Sequence, residues 1–209
     1  MYNINIMCFS APVSFISSAG LLGTGAITLR NSAKDKRMIA AIPIMFGIQQ
    51  FLEGSQWLFL NAGEVNACFG YGFLFFAFLV WPTYIPLAVY SVETNKNSKK
   101  ILKGLALLGF LTTLGGILSL ATSQLFIEAI EHHVVYGAIT DLRTTGVLIY
   151  VTAVVGSMFV ASDKRIKFFG LLILISAGVA WVFFNYASYS VWCLFSAVLS
   201  GLIYIYLKK

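Results

Sequence analysis

Seven long apolar runs, separated by short polar or charged breaks, dominate the pattern of residues along the chain. They cover approximately residues 11–29, 38–60, 68–92, 101–121, 144–161, 168–184 and 191–207. A helix needs roughly 17–25 mostly apolar residues to cross a bilayer. The pattern therefore predicts an all-α fold, a polytopic membrane bundle of seven transmembrane helices that forms a single domain over residues 1–209.

The composition agrees with a membrane class of protein. Hydrophobic residues make up 59% of the 209 residues and charged residues only 11%, whereas about a quarter of a soluble domain is charged. A soluble domain of this size could not remove so much apolar surface from water. The composition thus excludes a soluble enzyme, a disordered chain and a small disulfide-stapled secreted module.

Basic residues are confined almost entirely to alternate loops. Of the 14 lysines and arginines, all except Arg143 lie in or beside the first, third and fifth loops or in the C-terminal tail. Because cytoplasmic loops carry the excess of basic residues, we expect the N-terminus outside and the C-terminus in the cytoplasm. Short basic clusters beside anionic lipid headgroups indicate the lipid bilayer as a partner and no nucleic acid. The chain could also form a homo-oligomer, and the sequence leaves this alternative open.

One carboxylate, Glu53, lies inside the second apolar run, about 10 Å from its outer end at 1.5 Å per residue. Gln49, Glu53 and Gln56 share one helical stripe, with Gln50 and Trp57 beside it. A charge at this depth costs a few kcal/mol unless it is paired, protonated or hydrated, so the stripe is expected to face the bundle interior. Either Glu53 holds helices together through hydrogen bonds, or it serves a site for a cation, a proton or a polar solute.

Two prolines lie near the middle of the third run. Pro82 directly follows Trp81, and Pro86 lies one helical turn later. Proline removes an intrahelical hydrogen bond and kinks a helix. The kink either opens a cavity that Trp81 and Tyr84 line, or is packed with these rings as filler. Glu93, at the end of the run, is expected to be solvated or paired with nearby lysines.

The one long outer connection, residues 122–143, is too apolar for a flexible linker and is expected to form a folded cap; residues 1–10 form an outer N-terminal segment. The cap contains both histidines, His132 and His133. Adjacent histidines diverge, so only one is expected to point into the bundle. They are either solvated interfacial histidines, or a metal ligand, a proton acceptor or a pH sensor.

A divalent metal is one hypothesis for the outer half. A catalytic zinc needs three protein ligands, and Glu53, one of the two histidines and either Asp141 or a thiol would supply them. No His-x-x-x-His or His-Glu-x-x-His spacing supports such a site. The cysteines Cys8 and Cys193 both map to the outer side, where they form either one disulfide or two small apolar side chains.

The opening Met7-Cys-Phe-Ser-Ala11 resembles that of a family of uncharacterised bacterial seven-helix membrane proteins, whose members begin at the equivalent of Met7. The similarity covers nearly the whole chain and continues at Phe46-Gly-Ile-Gln-Gln50, Glu53-Gly54, Trp57, Trp81-Pro82, Pro86, His133, Tyr136, Phe169-Gly170 and Ser190–Ala197. The resemblance implies the seven-helix fold and the bacterial cytoplasmic (inner) membrane, but no activity. It also favours His133 over His132 as the inward histidine.

The topology alone resembles two further groups of membrane proteins. Hydrolases related to the alkaline ceramidases hold zinc with three histidines, but the last run here has Trp192-Cys193 in place of a His-x-x-x-His element. Microbial rhodopsins attach retinal to a lysine of their seventh helix. The seventh run here contains no such lysine, so retinal is not expected as a cofactor.

Three functions fit these patterns. The first is binding of a small polar solute or an ion in the outer half of the bundle, by a transporter, a channel or a sensor. The second is a membrane-embedded metal-dependent hydrolase, and the third is a non-catalytic membrane assembly subunit. The predicted ligand-binding residues are Gln49, Gln50, Glu53, Trp57, Trp81, His133 and Tyr136.

Overall fold

The computed structural model describes residues 10–122, 125–130, 133–138 and 144–208. Two strands lie between the fifth and sixth helices, β1 (Leu125–Ile130) and β2 (His133–Ala138). Cys8, His132 and Asp141 lie outside the described residues. The helices are α1 (Ala11–Asn31), α2 (Arg37–Asn61), α3 (Ala67–Leu74), α4 (Trp81–Val92), α5 (Lys96–Thr122), α6 (Thr144–Val160), α7 (Lys164–Phe183), α8 (Ser188–Ser200) and α9 (Leu202–Leu207).

Each of the seven predicted apolar runs coincides with a helical segment, so the predominantly helical architecture is confirmed. α3 continues into α4 through one π-helical segment, and α8 continues into α9. Within the described residues, five segments are long and apolar enough to cross a membrane, and the apolar part of α6 is shorter. The five are Ala11–Asn31, Ala67–Val92, Lys96–Thr122, Lys164–Phe183 and Asn185–Leu207.

α2 has the length of a membrane helix but a lower hydropathy, because it carries the polar stripe of Gln49, Gln50, Glu53 and Gln56. It packs against α1, α3, α4 and α8. These four polar side chains are all buried. Neighbouring helices therefore cover the polar stripe, as the sequence predicted.

The two ends of the bundle differ in character. One end, here termed the basic end, consists of residues 32–37, 93–100, 161–167 and 208. At this end the Tyr206 hydroxyl donates to Asp163 at 3.2 Å. Residues 61–66, the two strands and residues 184–187 form the opposite end, here termed the hairpin end. The alternation of basic residues along the chain is thus an asymmetry between the two ends of the folded bundle.

Glu93, at the C-terminal end of α4, is buried rather than solvated, which makes its sequence-based prediction wrong. Its carboxylate accepts the backbone N–H groups of Thr94 and Asn95, both at 2.7 Å, and that of Ser162 at 2.6 Å. No lysine of the described residues forms an ion pair with it. Burial alone would raise the pKa of Glu93, but the hydrogen bonds from Asn95, Ser162 and Thr94 outweigh it and hold the pKa below its ordinary value of 4.5.

We expect Glu93→Gln to lower the free energy of unfolding by about 1–3 kcal/mol at neutral pH, because an amide nitrogen cannot accept a backbone N–H. A lowered folded-state pKa contributes stability above the unfolded pKa and loses it as pH falls through the folded value. The difference between the wild type and the variant should therefore shrink below about pH 4.5. Denaturant unfolding in detergent between pH 3 and 7 measures it. The exposed Glu64→Gln is the control, and a pH-independent difference would contradict the assignment.

The membrane-length segment Ala67–Val92 is interrupted just before its first proline. Residues Phe75–Val80 are π-helical, and the Trp81 N–H donates to the Phe76 carbonyl, five residues back. In this register the next donor would serve the Ala77 carbonyl, but Pro82 has no N–H. The Tyr150 hydroxyl of α6 donates to the Ala77 carbonyl instead, at 2.9 Å. A neighbouring helix thus satisfies the backbone group that the proline leaves open.

Helix α5 packs closely against the backbone carbonyl that Pro86 leaves without an intrahelical donor. Pro86 provides no N–H for the Pro82 carbonyl four residues earlier. Gly109 of α5 packs directly against this carbonyl, and a Cβ atom at Gly109 would overlap the Pro82 oxygen. Thr113, one turn further along α5, donates to the Leu79 carbonyl at 2.8 Å. α5 therefore packs on the proline-containing helix through backbone proximity and one hydroxyl.

The strands β1 and β2 pair antiparallel, with Ile127 opposite Tyr136 and Ile130 opposite His133. Sequence analysis predicted a folded cap here but no strands. Because side chains alternate across a strand, Tyr136 and His133 lie on opposite faces of the hairpin. The Ile127 side chain packs against Gly70 of α3, so the Tyr136 face is the one turned towards the bundle.

Candidate functional site

A group of buried polar side chains lies beneath the hairpin, and we term it the polar cluster. It consists of Gln49, Gln50, Glu53 and Gln56 of α2, Tyr136 of β2 and Ser190 of α8. The four side chains of α2 are between 0% and 3% exposed. The helical spacing alone places them on neighbouring faces of α2, and the packing of α8 and β2 adds the other two.

Glu53 is held by two neutral donors. The Ser190 hydroxyl donates to Glu53 Oε1, and the Gln50 amide donates to Oε2 at 3.2 Å. No lysine or arginine among the described residues forms an ion pair with this carboxylate. Its charge is therefore either neutralised by a proton or available to a cationic group.

Gln49 has hydrogen-bond partners for its whole amide. Its Oε1 accepts the Trp81 indole N–H at 2.9 Å. Its Nε2 donates to the Cys193 sulfur at 3.4 Å and to the Phe73 carbonyl at 3.5 Å. Gln49 thus links α2 to α3, α4 and α8, and acts in this structure as a connector between helices.

The amides of Gln50 and Gln56 are not fully paired among the described residues. Neither the Oε1 nor the Nε2 of Gln56 has a hydrogen-bond partner among the described residues, and the same holds for Gln50 Oε1 and for the Tyr136 hydroxyl. Buried polar atoms of folded proteins are almost always satisfied. The four unsatisfied atoms in this cluster therefore make it the candidate binding site among the described residues.

Tyr136 connects the hairpin to this group. Its ring stacks on Phe73 of α3 with the centroids 4.3 Å apart. Burial, and to a smaller extent the charge of Glu53, raise the pKa of the Tyr136 hydroxyl well above its usual value. The hydroxyl therefore remains a hydrogen-bond donor across the physiological range of pH.

His133 lies on the other face of the hairpin. Its ring meets Phe184 and Tyr186 edge to face, with centroid separations of 5.0 and 5.9 Å. It is 6% exposed, so it is not a solvated interfacial histidine. Its approach to Glu53 stays a prediction, whereas Tyr136 lies within electrostatic range of that carboxylate.

The other predicted site residues are distributed around the polar cluster. Trp57 is buried at the hairpin end in the same apolar group as Phe73, Tyr136 and Cys193, and Trp81 stacks on Phe46 with centroids 4.0 Å apart. Cys193 is buried and not bonded to the exposed Cys68. The predicted pairing with Cys8 falls on a residue outside the described part of the chain.

The predicted metal ligands are not assembled by the described residues. In that part of the chain no three His, Cys, Asp or Glu side chains come together in a way that could hold a metal ion. Asp141, the third ligand considered for Glu53 and His133, lies outside it. The metal hypothesis for Glu53 and His133 therefore stays a prediction.

The predicted ligand-binding residues did not include Ser190, although this residue donates to Glu53 from 137 positions away. The available signal was its spacing, because Ser190 and Cys193 are three residues apart and share a face of the last run. Trp192 was also absent from the predicted site. Its indole nitrogen is buried and has no hydrogen-bond partner among the described residues.

Fold and site together define a predominantly helical protein with several membrane-length helices and a buried polar cluster beneath a β-hairpin. The chain belongs to the Family of unknown function (DUF6629), whose model matches residues 7–209. The match begins at Met7, as the resemblance of the opening residues implied. No curated protein and no solved structure matches the chain.

Proposed function

We propose that the protein is a multi-pass protein of the bacterial cytoplasmic membrane that binds a small polar solute or an ion in its polar cluster. In this proposal the chain crosses the membrane seven times, with the hairpin end outside and the basic end in the cytoplasm. Five membrane-length helices support a chain that crosses the membrane several times. The gathering of basic residues at one end supports the orientation.

The observation that carries the proposal is the set of unsatisfied atoms around Glu53. Gln56 contributes a free donor and a free acceptor, Gln50 an acceptor and Tyr136 a hydroxyl. Leaving a buried polar atom without a partner costs about 1–3 kcal/mol. Helix packing gains nothing from four such atoms, whereas a polar ligand that pairs with them recovers this free energy on binding.

The side chains would divide the work by chemistry. Glu53 supplies a negative charge or accepts a proton, Gln50 and Gln56 form hydrogen bonds to the ligand, and Tyr136 donates from above. Trp57 forms an apolar wall. The hairpin closes the site from outside through its Tyr136 face. His133, on the opposite face, would act through the packing of the hairpin against Phe184.

The test is a thermal-unfolding screen of the purified protein in detergent. Its panel contains monovalent cations, divalent cations and small neutral, anionic and cationic polar solutes. A ligand at 100 times its Kd should stabilise the folded state by about 2.7 kcal/mol. We expect Glu53→Gln to abolish the response to cations or cationic solutes, because only the wild type offers them a counter-charge, and the exposed Glu64→Gln to preserve it.

The other outcomes separate the competing functions. No stabilisation by any member of the panel would contradict the proposal and favour the assembly subunit. A stoichiometric metal in the purified protein that is lost in Glu53→Gln would favour the metal-dependent hydrolase. An equal response of the wild type and Glu53→Gln would remove Glu53 from the site.

A further inference from the structure

A pocket lies at the basic end, between the last turn of α1 and the last turn of α9. Its volume is about 220 Å³, whereas about 10–15 Å³ is enough to hold one water molecule. The pocket can therefore hold a polar group of several non-hydrogen atoms. Its lining consists of Thr28, Asn31 and Ser32 at the end of α1 and Tyr204, Leu207 and Lys208 at the end of α9.

The pocket lies where the apolar outer surface of these two helices ends. Ile27 and Ile205, each next in sequence to a lining residue, are 52% and 61% exposed. In a membrane helix such side chains lie against hydrocarbon, whereas the exposed Asn31 and Lys208 follow them at the polar end. Tyr204 in the lining is of the residue type that collects at membrane–water interfaces. In the proposed membrane the pocket is therefore at the depth of the lipid headgroups.

The charge in and around the pocket is positive. Lys208 is the charged side chain of the lining, and its ammonium lies over the Tyr204 ring, 5.5 Å from the centroid. Two of the acidic side chains described at this end are already occupied, because Asp163 forms an ion pair and Glu93 accepts three backbone N–H groups. Asp35 alone then offsets the many lysines and arginines of the described basic end. Such a field favours an anionic ligand.

The polar groups of the lining offer both donors and acceptors to a ligand. The side chains of Asn31 and Lys208 form no hydrogen bond or ion pair within the described residues, so their N–H groups remain available. The hydroxyls of Thr28 and Ser32 donate to the carbonyls of Thr24 and Thr28, both at 2.6 Å, which leaves their oxygens as acceptors. Both helices also end here, with carbonyl groups that lack intrahelical donors. A matching ligand carries a negative charge together with hydroxyl groups.

We propose that this pocket binds the headgroup of an anionic phospholipid with a hydroxylated headgroup, of which phosphatidylglycerol is the simplest. Lys208 and Asn31 donate to the phosphate, and the headgroup hydroxyls donate to the oxygens of Thr28 and Ser32 and to the helix ends. A membrane lipid is favoured over a free phosphate because the pocket borders the lipid-facing surface. This inference goes beyond the proposed binding of a polar solute and does not depend on it, since the polar cluster lies beneath the hairpin at the opposite end.

The experiment is a lipid titration of the purified protein in detergent, read by native mass spectrometry. Phosphatidylglycerol and phosphatidylcholine with the same acyl chains are compared, and we expect saturable binding of phosphatidylglycerol alone. Lys208→Gln should weaken this binding about 5-fold, which is the order contributed by one lysine beside an anionic headgroup. Lys100→Gln is the matched control, because Lys100 is exposed at the same end but does not line the pocket. It removes the same charge and should leave the affinity within about 2-fold of the wild type.

A second comparison tests the hydroxyl groups without changing any charge. Phosphatidylglycerol should bind the wild type about 2- to 10-fold more tightly than phosphatidylmethanol, which has the same charge but no headgroup hydroxyl. Ser32→Ala should reduce this preference.

Three results would overturn the proposal. They are equal binding of phosphatidylglycerol and phosphatidylcholine, an equal loss of affinity in Lys208→Gln and Lys100→Gln, and binding of free glycerol phosphate as tight as that of the lipid. The last result would identify a site for a soluble anion and not for a membrane lipid. Glu53→Gln, which tests the polar cluster, should leave the lipid affinities unchanged, so the two proposals fail separately.

Discussion

Gly109→Ala is expected to lower the free energy of unfolding by about 3 kcal/mol, because overpacking a well-packed contact costs that order of free energy. The new methyl group would overlap the Pro82 carbonyl oxygen and lie close to the Pro82 carbonyl carbon. Both are backbone atoms and cannot move aside without shifting α4 against α5. Denaturant unfolding in detergent measures the loss.

Two other glycines of α5 provide the controls. At Gly104 and Gly115 an added Cβ atom meets no heavy atom within 4 Å. Alanine is favoured over glycine within a helix by about 0.5–1 kcal/mol, so both substitutions should be neutral or slightly stabilising. If Gly109→Ala were as stable as Gly115→Ala, the close approach of α5 to Pro82 would be wrong.

Gln56→Met should stabilise the ligand-free protein by about 1–3 kcal/mol, because it removes two buried polar atoms that have no partner and keeps a similar shape. The same change should abolish the stabilisation that the wild type gains from its polar ligand. Gain of stability with loss of binding is typical of a residue kept for function. Unfolding free energies with and without the ligand identified in the screen test both parts.

Gln49→Met is the matched control on the same helix. Gln49 is equally buried, but its amide accepts from Trp81 and donates to Cys193 and Phe73. Its replacement would leave the Trp81 indole N–H unpaired and should destabilise the protein by about 1–3 kcal/mol. If both glutamine variants shift the stability in the same direction, the distinction between a connector and a ligand-binding side chain fails.

The helices could be predicted from the sequence because the physical constraint on them is local. A run of apolar residues of sufficient length identifies a membrane helix without knowledge of its neighbours. The inward orientation of Glu53 followed from the same reasoning, since lipid exposure of a carboxylate is costly. Its partner did not, because Ser190 is 137 residues distant and no local pattern connects them.

The hairpin and Glu93 show where local patterns are insufficient. β1 reads Leu-Phe-Ile-Glu-Ala-Ile, a short apolar run that periodicity cannot distinguish from a piece of helix. Glu93 was expected to be solvated or paired with nearby lysines, but it is buried, and one donor to its carboxylate, the Ser162 N–H, lies 69 residues later. The pairing of the two strands and the burial of Glu93 both depend on which distant loops meet at the same end of the bundle.

The hydrogen bonds to the helix Ala67–Val92 also bear on the order in which the chain is made. The donor to the Leu79 carbonyl is Thr113, 34 residues later, and the donor to the Ala77 carbonyl is Tyr150, 73 residues later. During synthesis this helix therefore leaves the ribosome before either hydroxyl exists. A buried carbonyl without a donor is costly. In a nascent chain that ends before α6, the Ala77 carbonyl lacks its donor, the Tyr150 hydroxyl. The arrival of α6 completes that helix, and shortened chains should be the ones that cellular quality control recognises.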